Sequence, residues 1–70
     1  MIYVQKLTNS DSKSGTWKIE AFADTKAEVT PDAEFVGLPE GANIEMGSSV
    51  MTANGEIAFM KSDGTWNWVG

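Results

Sequence analysis

The 70-residue sequence contains no cysteine, no histidine and no arginine. Without cysteine the chain forms no disulfide and has no thiolate to act as a nucleophile or a metal ligand. Without histidine it lacks the commonest general base near neutral pH and the commonest zinc ligand. These absences exclude most hydrolytic chemistry, so we predict a protein that is not an enzyme and has no catalytic, cofactor or metal site.

Basic residues are scarce, with five lysines against ten carboxylates and a formal net charge of −5. Nucleic-acid binding depends on clustered basic side chains, whereas these lysines are scattered along the chain. No apolar stretch approaches the roughly 20 residues of a membrane span, and the first residues lack the features of a signal peptide. We therefore expect a soluble intracellular product that binds neither nucleic acid nor membrane.

A chain of this length makes one small domain, which buries only about 60% of the surface that its unfolded form exposes. The core is therefore thin, and since disulfides are absent, oligomerisation is the remaining means of stabilising it. We predict a single β domain over residues 1–70. It consists of an N-terminal hairpin (2–23), a connection containing proline and glycine (24–46) and a three-stranded meander (47–69).

The N-terminal hairpin is predicted from two strand patterns with a polar segment between them. Residues 2–7 form the first strand, 8–15 a loop rich in turn-forming residues, and 16–23 the second strand. Trp17 and Ile19 begin an alternation with polar residues that is typical of a half-buried strand.

The connection is predicted to contain little regular structure. A short strand at 33–36 is possible, and a helix at 24–29 would be too short to be stable by itself. The segment 38–41 favours a turn with Pro39 at its first central position, where the fixed φ of proline is suitable.

The C-terminal meander is predicted from two turn signals between three apolar runs. Asn54-Gly55 favours a two-residue type I′ turn, because asparagine and glycine best tolerate the positive φ that both positions need. This turn would place Val50 opposite Phe59, with Ile57 on the same face. The predicted fold is therefore all-β: a small antiparallel sheet, sandwich or barrel of about five or six short strands.

The second turn, at Asp63-Gly64, allows two registers. A two-residue loop would put Trp66 and Trp68 on the face of Val50, Ile57 and Phe59. A type I turn with glycine at the bulge position would shift the pairing by one residue. Both tryptophans would then lie on the other face, with Met51, Ala58 and Met60. The Ser-Asp-Gly-Thr string favours the bulged turn. The sheet would then be apolar on both faces and would need cover on both.

Aromatic and methionine side chains are the candidates for a working surface. In so short a chain, large aromatics are the main source of buried area, so a place in the core or at a subunit interface is favoured. The alternative is a platform for a sugar, a proline-rich peptide or a base, formed by the aromatic residues Trp66, Trp68, Trp17, Tyr3, Phe22, Phe35 and Phe59. The predicted interaction surface consists of Trp17, Met51, Phe59, Met60, Trp66 and Trp68.

Acidic side chains are less informative. Glu20, Asp24 and Glu28 could lie close together, as glycosidase carboxylates do, but solvated surface is the favoured interpretation because so small a chain has little bulk to form a cleft. The loop 9–15 faintly resembles a calcium loop. However, Lys13 stands where an oxygen ligand is needed, and no bidentate glutamate follows at the required distance.

Four segments resemble small proteins encoded in tailed phages and prophages of Gram-positive bacteria: residues 24–29, 37–41, 47–50 and 61–68, the last reading KSDGTWNW. The resemblance implies a virion-associated structural or assembly component of the head or tail, present in many copies. It implies contacts with further copies of itself or with other phage structural proteins. The implied location is the bacterial cytoplasm during assembly and then the virion. The resemblance implies no functional residue at any of these positions.

Overall fold

The computed structural model describes residues 1–11, 15–30 and 32–69. Within them the chain is all-β, as predicted, with one short 3₁₀ helix at Lys26–Glu28. The strands number seven, against the five or six expected. They are β1 (Ile2–Asp11), β2 (Thr16–Ala23), β3 (Phe35–Val36), β4 (Asn43–Ile44), β5 (Ser49–Thr52), β6 (Ile57–Met60) and β7 (Trp66–Trp68).

All seven strands belong to one mixed sheet, in the order β3-β1-β2-β5-β6-β7, with β4 also paired to β2. The β1-β2 hairpin and the β5-β6-β7 meander are antiparallel, as predicted. Three further pairings, β1-β3, β2-β4 and β2-β5, are parallel. Parallel neighbours need a crossover of a dozen or more residues, which the connection between β2 and β5 supplies. Turn signals between adjacent strands could not predict these pairings.

The first hairpin differs from its prediction at the loop. β2 has the predicted bounds, but β1 continues from residue 8 to Asp11, so the first part of the predicted loop is strand. The register shifts between Val4 and Lys6 and again between Asn9 and Asp11. Such bulges let a strand with irregular polar sequence stay paired. Residues 12–14 of the predicted loop, including Lys13, lie outside the described residues.

The connection holds more structure than predicted. Its strand is shorter than expected, Phe35–Val36, and pairs in parallel with β1. The possible helix is a single 3₁₀ turn, and β4 was not predicted. The amide of Ala42 donates to the carbonyl of Pro39 at 3.1 Å, so Pro39 is the first residue of its turn and not the first central one.

The first turn of the meander was predicted in the wrong register. Met51 pairs with Ile57 and Val50 with Ala58, which leaves a three-residue loop at 53–55. Only Gly55 in this loop has positive φ, at 83°, whereas a type I′ turn would require it at Asn54 as well. The loop is a type I turn followed by a glycine bulge. Val50 therefore does not share a face with Phe59.

The second turn has the bulged geometry that its sequence favoured. Met60 pairs with Trp66 and Ala58 with Trp68, and Gly64 has a φ of 85°. The amide of Gly64 donates to the Lys61 carbonyl at 3.1 Å. Both tryptophans therefore lie on the face of Ala58 and Met60, as predicted. Met51 was placed on this face too, and it lies on the opposite one because the first turn has the other register.

The core lies on one face of the sheet. Its buried centre consists of Ile2, Ile19, Ala21, Ala23 and Val50. The rings of Phe35 and Trp66 stack with centroids 6.1 Å apart, although they belong to strands at opposite ends of the sheet order. The sheet therefore curls around its core, which makes its outer face convex.

Ser48 closes a gap on the edge of β2. Strand β4 pairs with the start of β2 and β5 with its end, so Ile19 lies between the two paired segments. The amide of Ile19 donates to the side-chain oxygen of Ser48 at 2.9 Å, and Ser48 is fully buried. A side-chain acceptor thus replaces the missing backbone acceptor.

Candidate interaction surface

The predicted interaction residues are divided between the two faces of the sheet. Met60 is buried, and the tryptophans at 17, 66 and 68 are half-buried on the core side. Met51 and Phe59 lie on the outer face, where 48% and 43% of each residue is exposed. The six residues therefore do not form one surface, and only the last two lie on the exposed outer face.

The tryptophans of β7 have neighbours over their rings. Trp66 stacks on Phe35, and the Lys26 ammonium lies 5.0 Å from the ring centroid of Trp68. That distance is within the range of a cation–π interaction. Each of the two indoles therefore has a neighbour over its ring and is half-buried.

A continuous row of apolar side chains crosses the outer face. The registers place Tyr3 beside Phe22, Phe22 beside Met51, and Met51 beside Ile57. Phe59 lies in the adjoining row, two residues along β6 from Ile57. We call Tyr3, Phe22, Met51, Ile57 and Phe59 the outer patch; it spans the four central strands.

The row continues to both ends of the sheet. Val36 pairs with Tyr3 at one end, and the amide of Val69 donates to the Ile57 carbonyl at the other. The exposed large apolar residues of this face, Val36, Tyr3, Met51, Phe59 and Val69, show 40% to 59% of their surface. Taking roughly 150–250 Å² for an aromatic side chain, they expose on the order of 400 Å² together. This is within the size of patches that are often functional.

Charged groups border the outer patch on two sides. Beyond the Ile2 end lie Asp24 and Glu34, both exposed. Beyond the other end lie Lys6, paired with Glu20 at 3.8 Å, and Lys18. Lys18 makes no ion pair with any residue that the structure describes.

The three carboxylates considered for acid catalysis do not converge. Glu20 pairs with Lys6, whereas Asp24 and Glu28 both contact the Met1 ammonium, Asp24 at 3.3 Å. The hydrogen bond to Glu28 raises the pKa of the Met1 ammonium, and the same bond lowers the pKa of Glu28. These shifts are those of a surface ion pair. They do not produce the raised carboxyl pKa that a general acid needs.

A pocket lies on the core side, where the two ends of the sheet meet. Its volume is about 320 Å³. The lining is mainly apolar, with Phe35, Leu38, Ile44 and Trp66, and Asn43 contributes a polar side chain. This volume is at the lower limit of small-molecule sites.

The described residues contain no group of three or more acidic side chains placed to hold a metal ion. Within the same residues, no helix has the length and apolarity to cross a membrane.

No family model matches the chain, and comparison with curated proteins and with solved structures likewise gave no match. The predicted interaction surface did not include Tyr3, Phe22 and Ile57, although the first two were considered for a ligand platform and Ile57 was placed on the face of Phe59. The sequence does contain a signal for these three residues. On a strand with one solvated face, alternate positions are polar, whereas these positions carry apolar side chains.

Proposed function

We propose that the chain is a small structural or assembly protein without enzymatic activity, which acts by binding other protein subunits through the outer patch. The observation that carries the proposal is the exposure of Tyr3 on β1, Met51 on β5 and Phe59 on β6, all on one face of the sheet. Exposed apolar area of this kind usually marks a contact surface, because leaving it in water is unfavourable.

The kind of subunit is proposed from the sequence resemblance to virion-associated proteins of phages and prophages. A component present in many copies would use such a face for contacts within the particle. Gene context tests this part: capsid or tail genes on both sides of the coding sequence are expected, and a metabolic operon would refute it.

Co-expression with the products of neighbouring genes tests the role of the outer patch. We expect a partner to co-purify with the wild-type chain and to be lost from the Met51→Lys variant. Met46→Lys is the matched control, because Met46 is also an exposed methionine, at 61%, but lies outside the patch. If both variants retain the partner equally, the outer patch is not its binding surface.

A second candidate function is a carbohydrate- or peptide-binding module, which the pocket beside Trp66 favours. Tryptophan fluorescence titrated with an oligosaccharide and with a proline-rich peptide tests it. A saturable change that is lost in Trp66→Phe would support binding in the pocket. No change with either probe would count against it.

A further inference from the structure

We propose that the free edge of β7 binds an extended peptide segment of another protein, which pairs with β7 as an added strand and places an apolar side chain in the pocket beside Trp66. This inference rests on the second candidate function and names its ligand as a peptide instead of a carbohydrate. Two features of the chain support it, the direction of the backbone groups of β7 and the lining of the pocket.

Two hydrogen bonds show which residues of β7 face β6. The Val69 amide donates to the Ile57 carbonyl at 2.8 Å, so Val69 faces β6. Before the other end of β7, the Lys61 amide donates to the Thr65 carbonyl, also at 2.8 Å, so Thr65 faces the same way. Along an antiparallel strand, residues whose backbone groups face one neighbour alternate with residues whose groups face away. Asn67, midway between Thr65 and Val69, therefore faces β6 as well.

The backbone groups of Trp66 and Trp68 consequently point away from β6. Strand β7 is the last in the sheet order, so among the described residues these two N–H and two C=O groups have no strand partner. Unpaired groups of this kind are the template on which an extended peptide adds to a sheet. The free edge of β7 therefore offers donors and acceptors at alternate residues, roughly 7 Å apart along the strand.

The pocket adjoins this edge on the core side. Trp66 lines the pocket together with Phe35 of β3, at the opposite end of the sheet order, and the two rings stack. In an added strand, alternate side chains would point to the core side, so one beside Trp66 would reach the pocket. The volume of about 320 Å³ is small for a free ligand, whereas a peptide needs to bury only one side chain in it.

The lining of the pocket favours a peptide over a carbohydrate. None of the described residues that line it is charged, and its polar side chains are Thr30 and Asn43. A sugar ring carries several hydroxyl groups, which would lose their hydration there without gaining enough partners. The Asn43 carboxamide forms no side-chain hydrogen bond with any described residue. Because a carboxamide both donates and accepts, it matches the N–H and C=O of a peptide group.

A capped synthetic peptide tests the pairing. It alternates threonine with valine, has leucine in place of the central valine, and ends in lysine on both sides because the chain carries a net charge of −5. We expect saturable binding by tryptophan fluorescence. Hydrogen exchange of the Trp66 and Trp68 amides should slow at least about tenfold in the complex. The Asn67 amide, which already faces β6, is the internal control and should change less.

N-methylated versions of the peptide test the hydrogen bonds, because methylation removes backbone donors and leaves the side chains unchanged. In an antiparallel complex the donors belong to the valine and leucine positions, and in a parallel complex to the threonine positions. Methylation of one of these two sets should weaken binding about five- to a hundredfold, and methylation of the other should have a smaller effect. If neither set weakens binding, the pairing with β7 is overturned.

A charge in the pocket tests the buried side chain. Ala42→Asp places a carboxylate in the lining and should raise the dissociation constant at least about tenfold. Ala53→Asp is the matched control, because it makes the same change at an exposed position outside the lining. Circular dichroism checks that both variants fold. A peptide with serine at the valine and leucine positions tests the same contact on the wild-type chain and should not bind. If it binds as well as the original peptide, no apolar side chain occupies the pocket.

The outcomes separate this inference from the second candidate function. Peptide binding without slower exchange at Trp66 and Trp68 overturns the added strand and leaves a peptide-binding module supported. A chain that binds no peptide at millimolar concentration, but gives an oligosaccharide titration that is lost in Trp66→Phe, overturns the inference and leaves a carbohydrate-binding module. Slower exchange together with weaker binding to Ala42→Asp supports both the added strand and the occupied pocket.

Discussion

Replacing Ser48 by alanine removes a single oxygen atom from the fully buried corner between β4 and β5. That oxygen accepts the amide of Ile19 at 2.9 Å, in the gap between the two segments that pair with β2. Alanine keeps the backbone geometry and nearly the same volume. The change therefore isolates the hydrogen bond from the packing around it.

The expected cost follows from the burial of the amide. An interior N–H group that loses its acceptor costs about 1–3 kcal/mol. At roughly 0.05–0.15 kcal/mol per residue, a chain of this length has a total stability of about 4–10 kcal/mol. The substitution should therefore remove a large fraction of the stability and lower Tm by roughly 4–20 °C.

Urea denaturation at one fixed protein concentration measures the loss, and hydrogen exchange at the Ile19 amide locates it. Ser49→Ala is the matched control, since Ser49 is the neighbouring serine and is only half-buried; it should change stability by less than about 0.5 kcal/mol. If Ser48→Ala is as stable as this control and the Ile19 amide stays protected, the proposed role of Ser48 is wrong.

Four further predictions concern the N-terminal ion pair and the two loops of the meander. The raised pKa of the Met1 ammonium stabilises the fold below its usual value of about 8, and this contribution is lost as pH rises through the raised value; N-terminal acetylation should remove this dependence in urea denaturation. The lowered pKa of Glu28 gives a contribution that is lost as pH falls through the lowered value, and Glu28→Gln should remove it in the same assay. Gly55→Ala and Gly64→Ala should each lower the free energy of unfolding, measured by thermal denaturation, by about 1–2 kcal/mol, because alanine is strained at positive φ. The new methyl group meets open space at both positions, so no steric clash adds to this cost. Deletion of Ala53 should keep the register of β5 and β6, because Asn54-Gly55 then forms a two-residue loop; cross-strand NMR contacts between Val50 and Ala58 check this.

The features predicted correctly are those that local sequence determines. The bounds of β2 follow from its alternation of apolar and polar residues, and the second turn of the meander follows from the Ser-Asp-Gly-Thr string. In both cases the informative residues lie within a few positions of the structure that they specify. Turn chemistry and strand period are local properties, so one sequence is enough to read them.

The features missed depend on distant parts of the chain. The parallel pairing of β2 with β5 joins residues that are separated by the whole connection, and two-residue strands such as β3 and β4 carry almost no pattern. The buried Ser48 is equally invisible, since its role exists only where two strands meet the edge of a third. The candidate surface was predicted only in part for the same reason: Met51 and Phe59 were named, but their neighbours Tyr3 and Phe22 come from the first hairpin.

The length of the first loop of the meander determines whether Val50 or Met51 lies on the exposed outer face. A two-residue loop with Phe59 opposite Val50 would have put Val50 outside and Met51 in the core. With the three-residue loop, Val50 joins Ile19 in the core and Met51 becomes the centre of the outer patch. Both faces of the sheet are apolar in either register, so the core face alone does not explain the composition of the strands. The outer face keeps Tyr3, Phe22, Met51 and Phe59 in adjoining rows, and this second apolar face is what the proposed contact with another subunit would cover.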